Sequence, residues 1–120
     1  EDQKNVVDAP KHTSRILNEM WTRFTQGDVS LAPDTICYNS LLDAWSKSFH
    51  PNGGREAERV LEEMRRYGMT HPELKIQPDE TSYNAVITAW KRSGGDTIAA
   101  KRKSKILEEM WQRYVEGDGL

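Results

Sequence analysis

Apolar residues recur along this chain at helical spacing and in short runs. Tyr38, Leu41, Leu42 and Trp45 fall at i, i+3, i+4 and i+7, and Tyr83, Val86, Ile87 and Trp90 repeat that set, so each forms one apolar stripe on an α-helix. A second stripe, Ala57, Val60, Leu61 and Met64, has counterparts in Ile16, Leu17, Met20 and Phe24 and in Ile106, Leu107, Met110 and Tyr114. The pattern predicts helices over 11–26, 35–48, 54–68, 80–93 and 97–116 and calls for no strand. Pro33 and Pro78 interrupt the chain, and Asp34 and Asp79 directly after them suit the N-cap of the helix that follows. Gly27, Gly68 and Gly117 fall where helix C-caps are expected. Segments 49–54 and 69–77 read as loops, and Gly53-Gly54 and Gly94-Gly95 as turns.

The stripes belong to an internal repeat. Residues 36–45 (ICYNSLLDAW) lie over 81–90 (TSYNAVITAW) at a shift of 45 without gaps, four of the ten positions being identical. Ile16-Leu17-Asn18-Glu19-Met20-Trp21 recurs as Val60-Leu61-Glu62-Glu63-Met64-Arg65 and as Ile106-Leu107-Glu108-Glu109-Met110-Trp111, at shifts of 44 and 46. Ala32-Pro33-Asp34 and Gln77-Pro78-Asp79 precede the two Tyr-Asn blocks by the same distance. A helix–turn–helix unit cannot bury its stripe alone, whereas stacked units share a thin continuous core. The expected fold is therefore an all-α solenoid of stacked antiparallel helical hairpins, a single domain over 1–120. It divides into the trailing helix of a preceding repeat at 11–34, a complete repeat at 35–79 and a second at 80–118 that lacks its ending Pro-Asp. The missing initiator Met and the incomplete units suggest a slice of a longer array.

Composition narrows the function. Lys+Arg 17 against Asp+Glu 19 gives a net charge of −2, so any contact with a polyanion must come from local placement of charge. Lys91, Arg92, Lys101, Arg102, Lys103 and Lys105 are the one positive concentration; Lys91 and Arg92 also suit a helix C-terminus as plain solvated charges. Apolar residues are 36% and charged residues 30%, and no run approaches the roughly 18 apolar residues that cross a bilayer, so membrane insertion is not expected. A lone Cys37 excludes an internal disulfide, and His12, His50 and His71 are scattered without metal-ligand spacing. Glu62-Glu63 and Glu108-Glu109 are adjacent on a helix and do not face a common point. No Gly-rich stretch runs into the Gly-Lys-Ser/Thr of a phosphate loop. No catalytic residue, metal or small-molecule cofactor is expected.

The Tyr-Asn, Leu-Glu-Glu-Met, Gly and Pro-Asp series resembles the pentatricopeptide repeat family, helical hairpins of about 35 residues that read RNA one base per repeat. The resemblance rests on Tyr38-Asn39-Ser40-Leu41-Leu42, Leu61-Glu62-Glu63-Met64, Gly68 and Pro78-Asp79, then Tyr83-Asn84-Ala85-Val86-Ile87, Leu107-Glu108-Glu109-Met110 and Gly117, covering about residues 14–118. The departure is length: Thr35 through Asp79 is 45 residues, the excess falling in the two loops. The resemblance implies that Asn39 and Asp79 read one base, a pair the family uses chiefly for uridine, with Ile36 and Thr81 clamping it. Asn84 would read in the second unit, and Asp34 would end the unit before. Lys91, Arg92 and Lys101 become candidate phosphate contacts. The implied partner is single-stranded RNA, bound by a longer parent in a mitochondrion or chloroplast.

Other readings of the same residues stay open. Asp34 and Asp79 are accounted for as caps, and Asn39 and Asn84 as solvated helix-face residues. Tyr38, Tyr83, Trp45 and Trp90 lie on the stripe and read as core, and Trp21 and Trp111 as packing or partner-facing. The rival function is a protein-binding helical scaffold, such as an accessory subunit of an organellar complex. A base stack contributes about 1–3 kcal/mol, whereas micromolar binding needs about 8 kcal/mol. The 120-residue chain alone is therefore expected to show no measurable affinity for a U-containing oligonucleotide by titration calorimetry; a dissociation constant below about 1 μM would contradict the one-reader arithmetic.

Overall fold

A computed structural model describes residues 2–116, and every regular element among them is helical. The order is α1 (Asp2–Thr25), α2 (Thr35–Ser48), α3 (Gly53–Thr70), a 3₁₀ turn (Pro72–Leu74) and α4 (Glu80–Val115). The expectation at Gly117 lies outside the described residues.

Helix α2 starts and stops where the pattern places it. Asp34, in extended conformation, accepts from the Cys37 backbone N–H at 2.9 Å, and Phe49 leaves the helix with a left-handed φ of 56°. Other boundaries differ from expectation. Helix α1 begins well before residue 11 and carries Pro10 inside it; the ring is fully buried, and burial offsets the hydrogen bond that proline cannot donate. Gly53 and Gly54 are the first residues of α3 rather than a turn. A Cβ on Gly54 would fall 2.4 Å from Trp90 Cδ2, so glycine serves close approach there. Gly68 lies inside α3 and not beyond its end, and its missing side chain lets the backbone of the following loop press in: a Cβ would sit 2.1 Å from the Ile76 carbonyl oxygen. Gly27 does follow α1 with a left-handed φ of 100°.

The largest difference lies at 80–116, where two helices were expected and one continuous hydrogen-bonded run is found. That run is not straight. Arg65 Nη2 lies 3.3 Å from the Tyr83 hydroxyl and 2.8 Å from Glu109 Oε2. Residues 83 and 109 would stand about 39 Å apart in a straight helix. The chain therefore doubles back within α4. The bend falls at Gly94, where a Cβ would lie 3.3 Å from the Ile98 Cβ; a regular helix keeps such positions about 5–6 Å apart. The reversal expected at Gly94-Gly95 is present, but it is made without leaving helical hydrogen bonding.

Helix α2 and the first half of α4 run side by side in one direction. Asn39 meets Ser82 near their starts, and Ser46 accepts from Arg92 Nη1 at 2.8 Å near their ends. The offsets between these partners, 43 and 46 residues, lie within two residues of the 45-residue shift of the sequence repeat. Tyr38, Leu42, Met64, Tyr83 and Val86 are buried between this layer and α3, and the whole is a slab 15 Å thick. Ile16 and Leu107, expected on the buried stripe, are 49% and 41% exposed. Their counterparts on α3, Val60 and Leu61, are both buried, because α1 and the returning half of α4 are outermost and each encloses only the other residue of its pair, Leu17 and Ile106.

Gly68→Ala tests the tight approach of the loop. Overpacking against backbone is expected to cost about 1–3 kcal/mol, read as a lowered midpoint in urea denaturation; an unchanged midpoint would show that the 69–77 segment gives way freely.

Candidate functional site

Each buried tyrosine sets the roll of its helix. The Tyr38 ring is 1% exposed, and its hydroxyl accepts from Trp21 Nε1 at 2.7 Å. Tyr83 is equally buried and accepts from Arg65 Nη2, Trp21 and Arg65 being the residues after Met20 and Met64. Burial pushes the Tyr38 hydroxyl above its ordinary pKa even though the Trp21 bond acts against the shift, so it stays a neutral anchor. With the tyrosine fixed, the next residue emerges about 100° around the helix, on the flank that faces α4. That residue is Asn39.

Asn39 Nδ2 donates to Asp79 Oδ1 at 3.1 Å across 40 residues of chain. Asp79 Oδ1 also accepts the Ser82 backbone N–H at 3.0 Å, while the Asp79 N–H donates to Ser82 Oγ at 3.0 Å, closing the start of α4. The Ser82 hydroxyl is within reach of both Asp79 Oδ1 and Asn39 Oδ1. It has one proton, and the shorter contact directs it to Asn39. The amide is therefore held from both ends, with one N–H and one oxygen lone pair left over. Burial works to raise the Asp79 carboxyl, but the Ser82 N–H and the Asn39 amide act against it and the group is held below the usual carboxylate value.

Around this cluster, Ile36 is 74% exposed and Thr81 is exposed, each three residues before its asparagine and hence on the same helix face. Asn84 is exposed and makes no side-chain hydrogen bond to a described residue. It stands to Tyr83 as Asn39 does to Tyr38, and because the helices are parallel both amides project in the same sense, one unit apart. Asp34 caps α2 through Cys37 and has no asparagine partner among the described residues. Lys91, seven residues past Asn84, is exposed on the same face. Arg92 is committed elsewhere: besides its bond to Ser46, its guanidinium stacks over Phe49 at 5.2 Å. Lys101 is not in this row, because it lies past the bend on the half of α4 that packs on α3, beside Arg102, which pairs with Glu58 at 3.8 Å.

Sequence reasoning missed Ser82. Its signal is the Asp-x-x-Ser spacing that begins at the N-cap Asp79. In the preceding unit the equivalent residue is Cys37, whose thiol lies 3.8 Å from Met20 Sδ and whose pKa is pushed up by burial. Among the described residues no group of three His, Cys, Asp or Glu could hold a metal, and no helix is long and apolar enough to cross a membrane. No family model, curated protein or solved structure matches the chain.

Loss of the cap and the amide bond through Asp79→Ala is expected to cost about 1–2 kcal/mol at pH 7. An acid whose native pKa is depressed stabilises above its unfolded value and loses that contribution as pH falls through the native one. Thermal melts should therefore show the gap between wild type and variant narrowing below about pH 4; a gap independent of pH would mean that the carboxylate charge contributes nothing.

Proposed function

We propose that the chain is a segment of an α-solenoid of the pentatricopeptide type, whose stacked hairpins present a row of amides to the bases of single-stranded RNA. The observation that carries this reading is the Asn39–Asp79 bond, 3.1 Å across 40 residues. It joins two residues that the resemblance pairs as base readers, one inside a helix and one at the cap of the next. The chemistry agrees with a pyrimidine edge. The free Asn39 N–H can donate to a carbonyl, and the remaining Asn39 oxygen lone pair or the second Asp79 oxygen can accept an imino proton. Exposed Ile36 and Thr81 flank the pair, where they can close on the two faces of one base.

The offsets of 43 and 46 residues between bonded partners on α2 and α4 bracket the 45-residue shift of the sequence repeat, as expected where units stack by translation. Lys91 supplies charge at the far end of the face for a phosphate. The resemblance places such a protein in a mitochondrion or chloroplast, acting through a longer array. A protein-binding scaffold is favoured by a different surface, where Leu107, Trp111 and Val115 are exposed on the returning half of α4.

A nuclear magnetic resonance titration separates these readings. A U-rich oligonucleotide should shift the Asn39 side-chain amide and the Ser82 and Thr81 backbone signals at high micromolar to millimolar concentration, an A-rich one should shift them less, and Asn39→Ala should remove the preference. Equal response to both sequences, or shifts confined to the returning half of α4, would overturn the base-reading proposal.

A further inference from the structure

On the layer away from the amide row, a groove of about 580 Å³ lies between α1 and α3. The two helices meet where Trp21 stacks on Tyr67 at 4.5 Å, but no Cα of one comes within 8 Å of the other among the described residues. Leu41, Trp45 and Val60 floor the opening, Lys11 and Arg15 stand on the α1 wall, and Glu56 and Glu63 on the α3 wall.

The second unit shows how the equivalent place is closed. There Trp90 donates its indole N–H to Glu58 Oε1 at 2.8 Å, Arg102 Nη1 lies 3.8 Å from Glu58 Oε2, and the Arg102 guanidinium covers the Trp90 ring at 5.1 Å. A carboxylate is thus held between an indole and a cation. By the repeat shifts Trp90 corresponds to Trp45, and Glu58 to Ser14, which lines the groove but carries no carboxylate. Trp45 packs edge-on against His50, and its indole N–H has no hydrogen-bond partner among the described residues.

The charge around Trp45 is unbalanced in the same direction. Lys11 and Arg15 make no ion pair with a described residue. On the opposite wall Glu56 is matched by Arg59 at 3.3 Å, leaving Glu63 as the one unmatched anion against two cations. The groove therefore offers an apolar floor, an indole donor and an excess of positive charge.

We infer that this groove docks an acidic segment of a protein partner. One carboxylate of that segment takes the Trp45 indole N–H as Glu58 takes that of Trp90, Lys11 and Arg15 flank it, and a neighbouring apolar side chain covers Leu41 and Val60. The surface is separate from the Asn39 row and does not depend on RNA binding.

The test uses a short amphipathic helical peptide of leucine, alanine and glutamate and a version with every glutamate replaced by lysine. The readout is the indole proton of Trp45, assigned with Trp45→Phe. The glutamate peptide should move that proton downfield saturably, and the lysine peptide should not. Lys11→Glu with Arg15→Glu should weaken binding about tenfold or more. Ser14→Glu restores the internal carboxylate, so it should move the same resonance without peptide and abolish binding. Circular dichroism checks that the helices persist; if Ser14→Glu unfolds the chain, the pair of exposed cations on α1 still decides. Equal binding of the two peptides, no movement of the Trp45 proton, or indifference to the charge reversals would overturn the proposal.

Discussion

A tyrosine that must be buried, yet must find a partner for its hydroxyl, fixes the geometry from which everything else follows. A buried unpaired hydroxyl costs about 1–3 kcal/mol, so Tyr38 and Tyr83 tolerate little rotation of their helices once Trp21 and Arg65 hold them. Fixing the roll determines where the following residue emerges. Asn39 is carried to the flank of α2 that faces the start of α4, and there a cap residue and its serine are waiting. The polar cluster is thus a consequence of core packing, and disturbing the tyrosine would misplace the amide without touching it.

The two units solve the same problem with different donors, and the difference reaches further than the tyrosines. Trp21 contributes one N–H and a ring, and the ring continues into Tyr67. Arg65 has donors to spare and ties Tyr83, Glu62 and Glu109 together, so it also holds the returning half of α4 against α3. Its bonds to Tyr83 and Glu109 outweigh the opposing effect of burial and keep it charged. An arginine thereby accounts for the close approach of α3 and the end of α4, whereas α1 and α3 meet through the Trp21–Tyr67 stack and leave a groove beyond it.

The sequence made much of this legible because the information is local or periodic. The stripe through Tyr38, Leu41, Leu42 and Trp45 identified the buried side of α2, and Pro-Asp marked both helix starts. What pattern could not supply was anything decided by contacts across the chain. Gly54 and Gly68 look like punctuation, but they are spaces kept for Trp90 and for the backbone of Ile76. Ile16 and Leu107 repeat the positions of Val60 and Leu61 and are half-exposed, since periodicity gives a residue's direction on its helix and not whether a neighbour stands there. Lys101 looked contiguous with Lys91 in sequence, and the bend at Gly94 puts it on the other layer. At the site, the Asn39 and Asp79 pairing came from resemblance; Ser82, which fixes the amide from its oxygen side, needed coordinates.

The polar cluster also bears on how strongly one unit could discriminate a base. An asparagine free to rotate would present donor and acceptor interchangeably and lose entropy on binding; here Asp79 takes one N–H and Ser82 supplies one proton to the oxygen, so the amide orientation is chosen before any ligand arrives. A base with its acceptor opposite the free N–H meets an aligned donor, whereas one with a donor there leaves two polar hydrogens facing each other. Rejection of that kind is worth more than the attractive bond alone, since it strands polar groups on both sides. The same cluster that looks structural, a cap stapled to a neighbouring helix, is therefore what would make the remaining edge of Asn39 specific under the proposed function. The exposed Asn84, which makes no side-chain hydrogen bond to a described residue, shows what the amide is without such a cap: its donor and acceptor stay interchangeable.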